Sequence, residues 1–235
     1  MPPWVPSLNS AGSRLMAGTA QAEGITHKQF ISITPDMDLP DLQDLRRQIR
    51  QQRQNLSNSQ QQQHSQQLAT QLRGLREFRN ARQLAAYIAA DGEIDPWSGM
   101  LQAWQHQKTV YLPVISHLGW ERLWFAPAEP DGAWRENRFG IPEPVVPRSW
   151  WQRASSLDII LLPLVAFDVH GNRLGMGAGF YDRALAFMLN RKHWRQPRLF
   201  GLAHSLQQVD TLPRQDWDVP LDGVITENEI LRFNT

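Results

Sequence analysis

The sequence predicts an open α/β fold: a mainly parallel sheet flanked by helices, with an N-terminal helical pair ahead of it. Three observations carry this. The chain before Leu75 has helical periodicity, the chain after it breaks into short apolar runs of strand length, and a capped helical segment separates two of those runs. Strand, helix, strand at that spacing implies crossover connections, which parallel strands require.

From Asp41 the apolar residues Leu42, Leu45, Ile49 and Leu56 recur at helical spacing, while Arg46, Arg50 and Arg53 gather on another face. Ser57 followed by Gln60 has the form of a capping box, so a second helix begins there and buries Leu68, Leu72 and Leu75. The run Gln60 to Gln63 reads as that helix's solvated surface. Strands are expected at Leu84 to Ala90, Thr109 to Ile115, Arg122 to Ala126, Leu157 to Phe167, Arg198 to Ala203 and Gly223 to Thr226. Asp95-Pro96 supplies a cap and a first-turn proline for a helix carrying Met100, Leu101 and Trp104. The proline- and glycine-rich stretch from Pro127 to Arg148 reads as a long loop and a lid or rim.

Residues 1–38 mix Pro, Ser, Gly and Thr with few apolar side chains and read as a loose leader, with patterned sequence starting near Met37; residues 39–235 then form one α/β domain. The leader has neither a signal-peptide pattern nor a bilayer-length apolar run, so export and membrane insertion are not expected. The 24 Lys and Arg nearly balance the 23 Asp and Glu, so any anion site must be local rather than a product of global charge. With no cysteine there is no disulfide, thiolate metal site or cysteine nucleophile, and the cytoplasm is the expected compartment.

The segment Leu174-Gly175-Met176-Gly177-Ala178-Gly179-Phe180-Tyr181-Asp182-Arg183 lies between a strand and a helix carrying Leu185, Phe187, Met188 and Leu189. Alternating glycines let backbone N–H groups converge on an anion, and the following helix adds the positive end of its dipole. Its spacing is neither the dinucleotide fingerprint nor the P-loop. Asp182 stands close enough to bound phosphates to hold Mg²⁺, and Arg173 can neutralise phosphate charge. Each residue alone has a plainer reading, Asp182 as a dipole complement and the glycines as turn or packing residues; the block as a whole favours phosphate binding.

The run Pro163 to Asp168, then Gly171-Asn172-Arg173-Leu174-Gly175, then Gly177 to Arg183 resembles the signature of the 5-formyltetrahydrofolate cyclo-ligase family, also called methenyltetrahydrofolate synthetases. Weaker similarity spans Leu45 to Thr226, including Asp91 to Asp95, Gly140 to Pro144 and Asp216 to Asp222. The resemblance implies ATP-dependent closure of 5-formyltetrahydrofolate to 5,10-methenyltetrahydrofolate, on an open α/β layer fold of the isomerase and CoA-transferase type. ATP enters as co-substrate, with Mg²⁺. It implies that Arg173, Leu174, Gly175, Met176, Gly177, Ala178, Gly179, Phe180 and Tyr181 wrap the ATP phosphates, with Arg46 and Arg50 reaching toward the nucleotide. Met176 to Phe180 also border the folate, which Glu93 contacts; Asp182 and Asp218 hold the metal, and Arg173 and Tyr181 are the catalytic assignments. The family's usual basic residue four positions before Arg46 is Leu42 here, leaving Arg47 or Arg50 to supply the second charge; the plain alternative for all three arginines is a solvated basic face. Trp124, Trp150 and Trp151 are candidates to stack on the pterin, and His204 reads as structural.

Two other readings compete. A sugar-phosphate isomerase or CoA-transferase fits the same architecture. A nucleotide- or RNA-binding module would use Arg46, Arg50, Arg53 and the Gln-rich helix, against which the balanced charge weighs. A monomer is expected, with neither nucleic acid nor membrane as partner.

Overall fold

The computed structural model describes residues 39–116, 122–190 and 196–233, so the expected leader lies outside the described residues. The chain opens with α1 (Leu39–Gln54), α2 (Asn58–Gly74) and α3 (Arg76–Asn80), then β1 (Gln83–Ala85) and α4 (Trp97–Gln105). A long antiparallel pair follows, β2 (Thr109–Ser116) with β3 (Arg122–Ala128), and then a small hairpin of β4 (Trp134–Glu136) with β5 (Pro142–Pro144). Next come β6 (Ile159–Pro163), a second hairpin of β7 (Ala166–Phe167) with β8 (Arg173–Leu174), α5 (Phe180–Leu185), β9 (Arg198–Leu202), β10 (Gly223–Ile225) and β11 (Ile230–Arg232).

The main sheet has seven strands in the order β11-β10-β9-β6-β1-β2-β3. The inner five are parallel, while β11 and β3 are antiparallel edges. Strand order reverses at the β1–β6 neighbour pair: the chain steps from β1 outward to β2 and later returns to β1's other side through β6. In open α/β sheets the crevice beyond the carboxyl ends of such strands is where ligands bind. The Asp91–Glu93 turn follows β1, and the hairpin that leads to the glycine-rich segment follows β6.

One core cluster packs α2 and α4 on the sheet through Leu68, Leu72, Met100, Leu84 and Leu161; a second, on Ile160, Leu162 and Leu199, takes Leu185 of α5. Residues 55–57 separate α1 from α2, yet α1 packs elsewhere: Leu45 and Ile49 join Val165, Ala166 and Leu174 in a third cluster on the β7/β8 hairpin. The capping box of α2 is formed, with the Gln60 N–H donating to Ser57 Oγ and the Ser57 N–H to the Gln60 side chain.

Several boundaries differ from expectation. β1 stops at Ala85 because the chain turns away to make the loop carrying Asp91 and Gly92, both at positive φ (54° and 72°). The long run Leu157 to Phe167 splits into β6 and β7, since β7 leaves the main sheet to pair with β8. The proline-rich stretch contains the β4/β5 hairpin rather than structureless loop. Pro96 itself takes the cap position of α4, with Asp95 Oδ1 accepting the Trp97 N–H at 2.9 Å. No helix among the described residues is long and apolar enough to cross a membrane.

Arg53 pins α1 to the sheet. Its side chain is fully buried, donating to the carbonyl oxygens of Asp91 (3.0 Å) and Leu164 (3.4 Å) and to the Asp91 carboxylate (3.1 Å). Arg53→Met keeps the length and removes every one of these bonds. The expected cost is about 3 kcal/mol, the low end for breaking a buried pair, because Asp91 is partly exposed and keeps Arg50. For a chain of this size that lowers Tm by roughly 6–12 °C. Arg50→Met, at a half-exposed pair, is expected to cost about 1 kcal/mol or less. Thermal denaturation of both variants checks this, and equal falls would contradict it.

Candidate functional site

Arg46, Arg50 and Arg53 fall about one turn apart along one face of α1; Arg50 and Arg53 share Asp91, while Arg46 reaches the glycine-rich loop. Arg53 is buried as described, and Arg50 Nε donates to Asp91 Oδ2 at 2.5 Å. Gln54 donates to the other oxygen of the same carboxylate. Burial alone would raise the Asp91 pKa, but these hydrogen bonds and the two arginine charges hold it below the ordinary carboxylate value. Arg50, for which a solvated basic face is the plain alternative, instead pairs with Asp91, as does Arg53. Arg47 is exposed and pairs with Asp44 at 3.0 Å.

The purpose of this clamp lies in the turn it holds. A Cβ on Gly92 would sit 3.1 Å from the Arg53 carbonyl carbon, so helix and loop approach as closely as glycine permits. On the other side, the His204 ring Nε2 lies 3.1 Å from the Gly92 carbonyl oxygen. Glu93 follows immediately. Its carboxylate accepts the Ala90 N–H at 3.1 Å, and burial pushes its pKa up to about 7 despite that bond and the nearby Arg53. Tyr181, on the first turn of α5, lies within electrostatic reach: burial first, then the Glu93 charge, raises its phenol well above the ordinary value.

The glycine-rich segment connects β8 to α5 and is exposed from Gly175 to Ala178. Arg46 Nε donates to the Gly175 carbonyl at 2.8 Å, so α1 reaches this loop as well as the Asp91 turn. Gly177 has φ +93°, and space is open around it: a Cβ there would meet only the Arg46 guanidinium, at 3.8 Å, while one on Gly175 would meet nothing within 4 Å. Among the described residues the N–H groups of Met176, Gly177 and Ala178 donate no hydrogen bond. Uncommitted donors beside a guanidinium suit an anion. Gly179, with φ +64°, starts α5, but that helix has only six residues, so local N–H groups matter here more than the expected helix dipole.

Arg173 supplies a second guanidinium, nearly buried, donating to Asp182 and to the Val219 carbonyl. Burial lowers its pKa while the charges of Asp182 and Asp218 act the other way, which brings all three groups together although they come from β8, α5 and the loop before β10. Asp182 keeps about a third of its side-chain surface exposed, and Asp218 Oδ2 accepts the Gln215 N–H at 2.8 Å. Two accessible carboxylates are the hard oxygen donors that Mg²⁺ takes, usually alongside phosphate oxygens and water. Leu174 is buried against α1, Phe180 lies under the Arg183 guanidinium, and Met176 is exposed. Of the tryptophans, Trp150 is exposed and Trp124 lies 5.6 Å below Arg153.

One member of the motif, Asp168, serves the fold. Asp168 is fully buried and accepts from the N–H groups of His170, Asn172 and Leu212 and from the Asn172 side chain, all at 2.8–2.9 Å. It shapes the β7/β8 turn that aims the glycine-rich loop. Sequence reasoning missed Asp91 and the burial of Arg53. The available signal was the position of Arg53 seven residues after Arg46, paired with an Asp-Gly turn after the first strand.

Residues 39–227 match the model of the 5-formyltetrahydrofolate cyclo-ligase family. The chain is 41% identical over 153 residues to the 5-formyltetrahydrofolate cyclo-ligase of Haemophilus influenzae, covering 64% of this chain and 79% of that protein. It is 39% identical over 165 residues to the enzyme of the same name from Escherichia coli K12, covering 70% and 88%. The solved structure of Aquifex aeolicus 5,10-methenyltetrahydrofolate synthetase superposes with a TM-score of 0.69 at 30% identity, covering 83% of this chain and 93% of that one.

Glu93 carries a stability signature that does not depend on any ligand. Its pKa rises from an ordinary 4.5 to about 7 on folding, so the folded state holds an extra proton between those values. The contribution is fully present below the unfolded value and is lost as pH rises through the folded one. Urea denaturation of wild type and Glu93→Gln from pH 4.5 to 8 should show the variant gaining stability relative to wild type up to about pH 7 and no further. A difference independent of pH would contradict the buried carboxyl.

Proposed function

The chain belongs to the 5-formyltetrahydrofolate cyclo-ligase family, and we propose that the crevice over β1 and β6 is where it converts 5-formyltetrahydrofolate to 5,10-methenyltetrahydrofolate at the expense of ATP. The observation that carries the reading is the meeting of two unlike surfaces. One is an anion cradle of free N–H groups flanked by Arg46 and Arg173; the other is the partly buried carboxyl of Glu93, whose pKa burial raises to about 7.

A formamide carbon is a poor electrophile and its oxygen a poor leaving group, so ring closure needs activation. In the proposed reaction the formyl oxygen takes the terminal phosphoryl group of ATP, releasing ADP. Nitrogen 10 of the folate then attacks the activated carbon and gives up its proton, and the former formyl oxygen leaves within phosphate. The chain supplies position and charge rather than a nucleophile. Met176, Gly177 and Ala178 turn their N–H groups to the phosphates, with Arg46 and Arg173 offsetting charge and Arg50 holding the Asp91 turn. Asp182 and Asp218 would hold Mg²⁺, which supplies charge neutralisation at the phosphate oxygens. Glu93 contacts the folate and, near neutral pH, either accepts a hydrogen bond from a ring N–H or donates one to a carbonyl. Tyr181, kept neutral beside it, forms the wall between the two substrates.

The engagement of Arg50 and Arg53 within the fold weighs against the nucleic-acid reading. The absence of cysteine fits a cytoplasmic location, and one domain from residue 39 onward, acting as a monomer, completes the proposal.

Purified protein is expected to release ADP, phosphate and methenyl product in equal amounts, only with 5-formyltetrahydrofolate, ATP and Mg²⁺ together. Phosphate release without folate, or product without ATP, would overturn the assignment. Gly177→Ala should raise the KM for ATP about tenfold, because an L residue at φ +93° costs about 1–2 kcal/mol and its Cβ enters the cradle, while the folate KM stays within about twofold. Asp182→Asn should instead raise the Mg²⁺ requirement, since an amide brings no charge to the ion. Separate titrations of ATP and Mg²⁺ distinguish the two defects, and an unchanged ATP KM in folded Gly177→Ala would assign the glycines to packing.

A further inference from the structure

Next to the Gly92 carbonyl, which His204 contacts, three metal-ligating side chains meet from three elements. They are His64 of α2, His204 after β9 and Glu227 after β10. Their ligand atoms all lie within 4.8 Å of one another. His64 Nδ1 and His204 Nδ1 are 2.8 Å apart, and His204 and Glu227 are buried.

The protonation of this group follows from its partners. A carbonyl oxygen only accepts, so His204 Nε2, at 3.1 Å from the Gly92 oxygen, carries the proton, and His204 Nδ1 keeps its lone pair. Burial, then the neighbouring His64, pulls the His204 pKa down to about 4, so the ring is neutral at physiological pH. The Glu227 carboxylate is oriented by the Ser205 N–H at 2.9 Å, the Ser205 hydroxyl and the Asn228 amide, and retains lone pairs. An imidazole whose far N–H is fixed by a backbone carbonyl, beside a carboxylate fixed by hydrogen bonds, is how proteins prepare ligands for a transition metal.

We infer that His64, His204 and Glu227 form a binding site for a divalent transition metal of the zinc class, with two imidazole Nδ1 atoms and one carboxylate oxygen as ligands. Two nitrogens and an oxygen suit Zn²⁺ and do not suit Mg²⁺, so this site is separate from Asp182 and Asp218. His64 needs only to move its ring proton from Nδ1 to Nε2, with no net loss of charge. A bound ion ties α2 to the ends of β9 and β10, and through His204 to the Gly92 carbonyl next to Glu93. The site owes nothing to the proposed reaction, and its test reads no activity.

The test takes the full chain, stripped with a chelator, and titrates it with Zn²⁺ against a competing indicator, with Co²⁺ absorption as the report on geometry. Wild type is expected to bind one Zn²⁺ at submicromolar concentration, to gain roughly 5 °C or more in Tm at saturation, and to give the visible bands of a four-coordinate Co²⁺ site completed by one water. His64→Ala, at a partly exposed position, and Glu227→Gln, which preserves the shape, should each weaken binding about a hundredfold, whereas Asp182→Asn and the surface variant His106→Ala should not. The three groups form only a hydrogen-bonded cluster, and the inference fails, if wild type binds no Zn²⁺ below about 100 μM. It fails equally if either ligand variant binds as wild type does, or if binding is lost only with Asp182→Asn.

Discussion

The structure depends on one buried cation. Taking a guanidinium out of water is costly, and Arg53 is tolerated because the Asp91 carboxylate and two backbone carbonyls receive it. Those acceptors lie on the loops leaving β1 and β6, the two strands between which the sheet changes direction. One side chain therefore ties α1 to both walls of the crevice. From that anchor, Arg50 tightens the Asp91 turn and Arg46 reaches the glycine-rich loop, so the helix acts as a common backing for both halves of the site.

The halves differ in electrostatic character, and burial explains the difference. On the phosphate side, Arg173 stands with Asp182 and Asp218, partly open to solvent and able to exchange internal pairs for contacts with a charged ligand. On the other side, Glu93 and Tyr181 lie in a desolvated region with few compensating charges, and both favour their neutral forms more than usual. A nucleotide carrying several negative charges and a largely neutral heterocycle call for these two environments. The carboxylates sort themselves accordingly: Asp91 is held ionised by arginines, whereas Glu93, two residues on, is raised toward neutrality.

Much of this was legible in the residues, for reasons that are local. The α2 capping box, the apolar spacing of Leu68, Leu72 and Leu75, and the strand runs depend on neighbours in sequence. The glycine-rich segment could be recognised because its order of residues is unusual. What escaped depends on partners far along the chain. Arg53 looked like a surface charge because Asp91 and Leu164 come later, and the structural role of Asp168 was hidden because the Leu212 N–H that bonds it lies 44 residues on. Strand β11 escaped because Ile230–Arg232 is too short to show a period and gains its place by pairing with β10. The role of α1 was half legible: its arginines were visible, their different partners were not.

In the proposed reaction the two surfaces joined by α1 bring the terminal phosphoryl group of ATP onto the formyl oxygen. Oxygen labelling tests it most directly. With ¹⁸O in the formyl group of 5-formyltetrahydrofolate and unlabelled ATP and water, mass analysis of the released phosphate should find one ¹⁸O atom per phosphate formed. Unlabelled phosphate, with the ¹⁸O recovered in water, would mean that ATP is hydrolysed without activating the formyl group and would contradict the account.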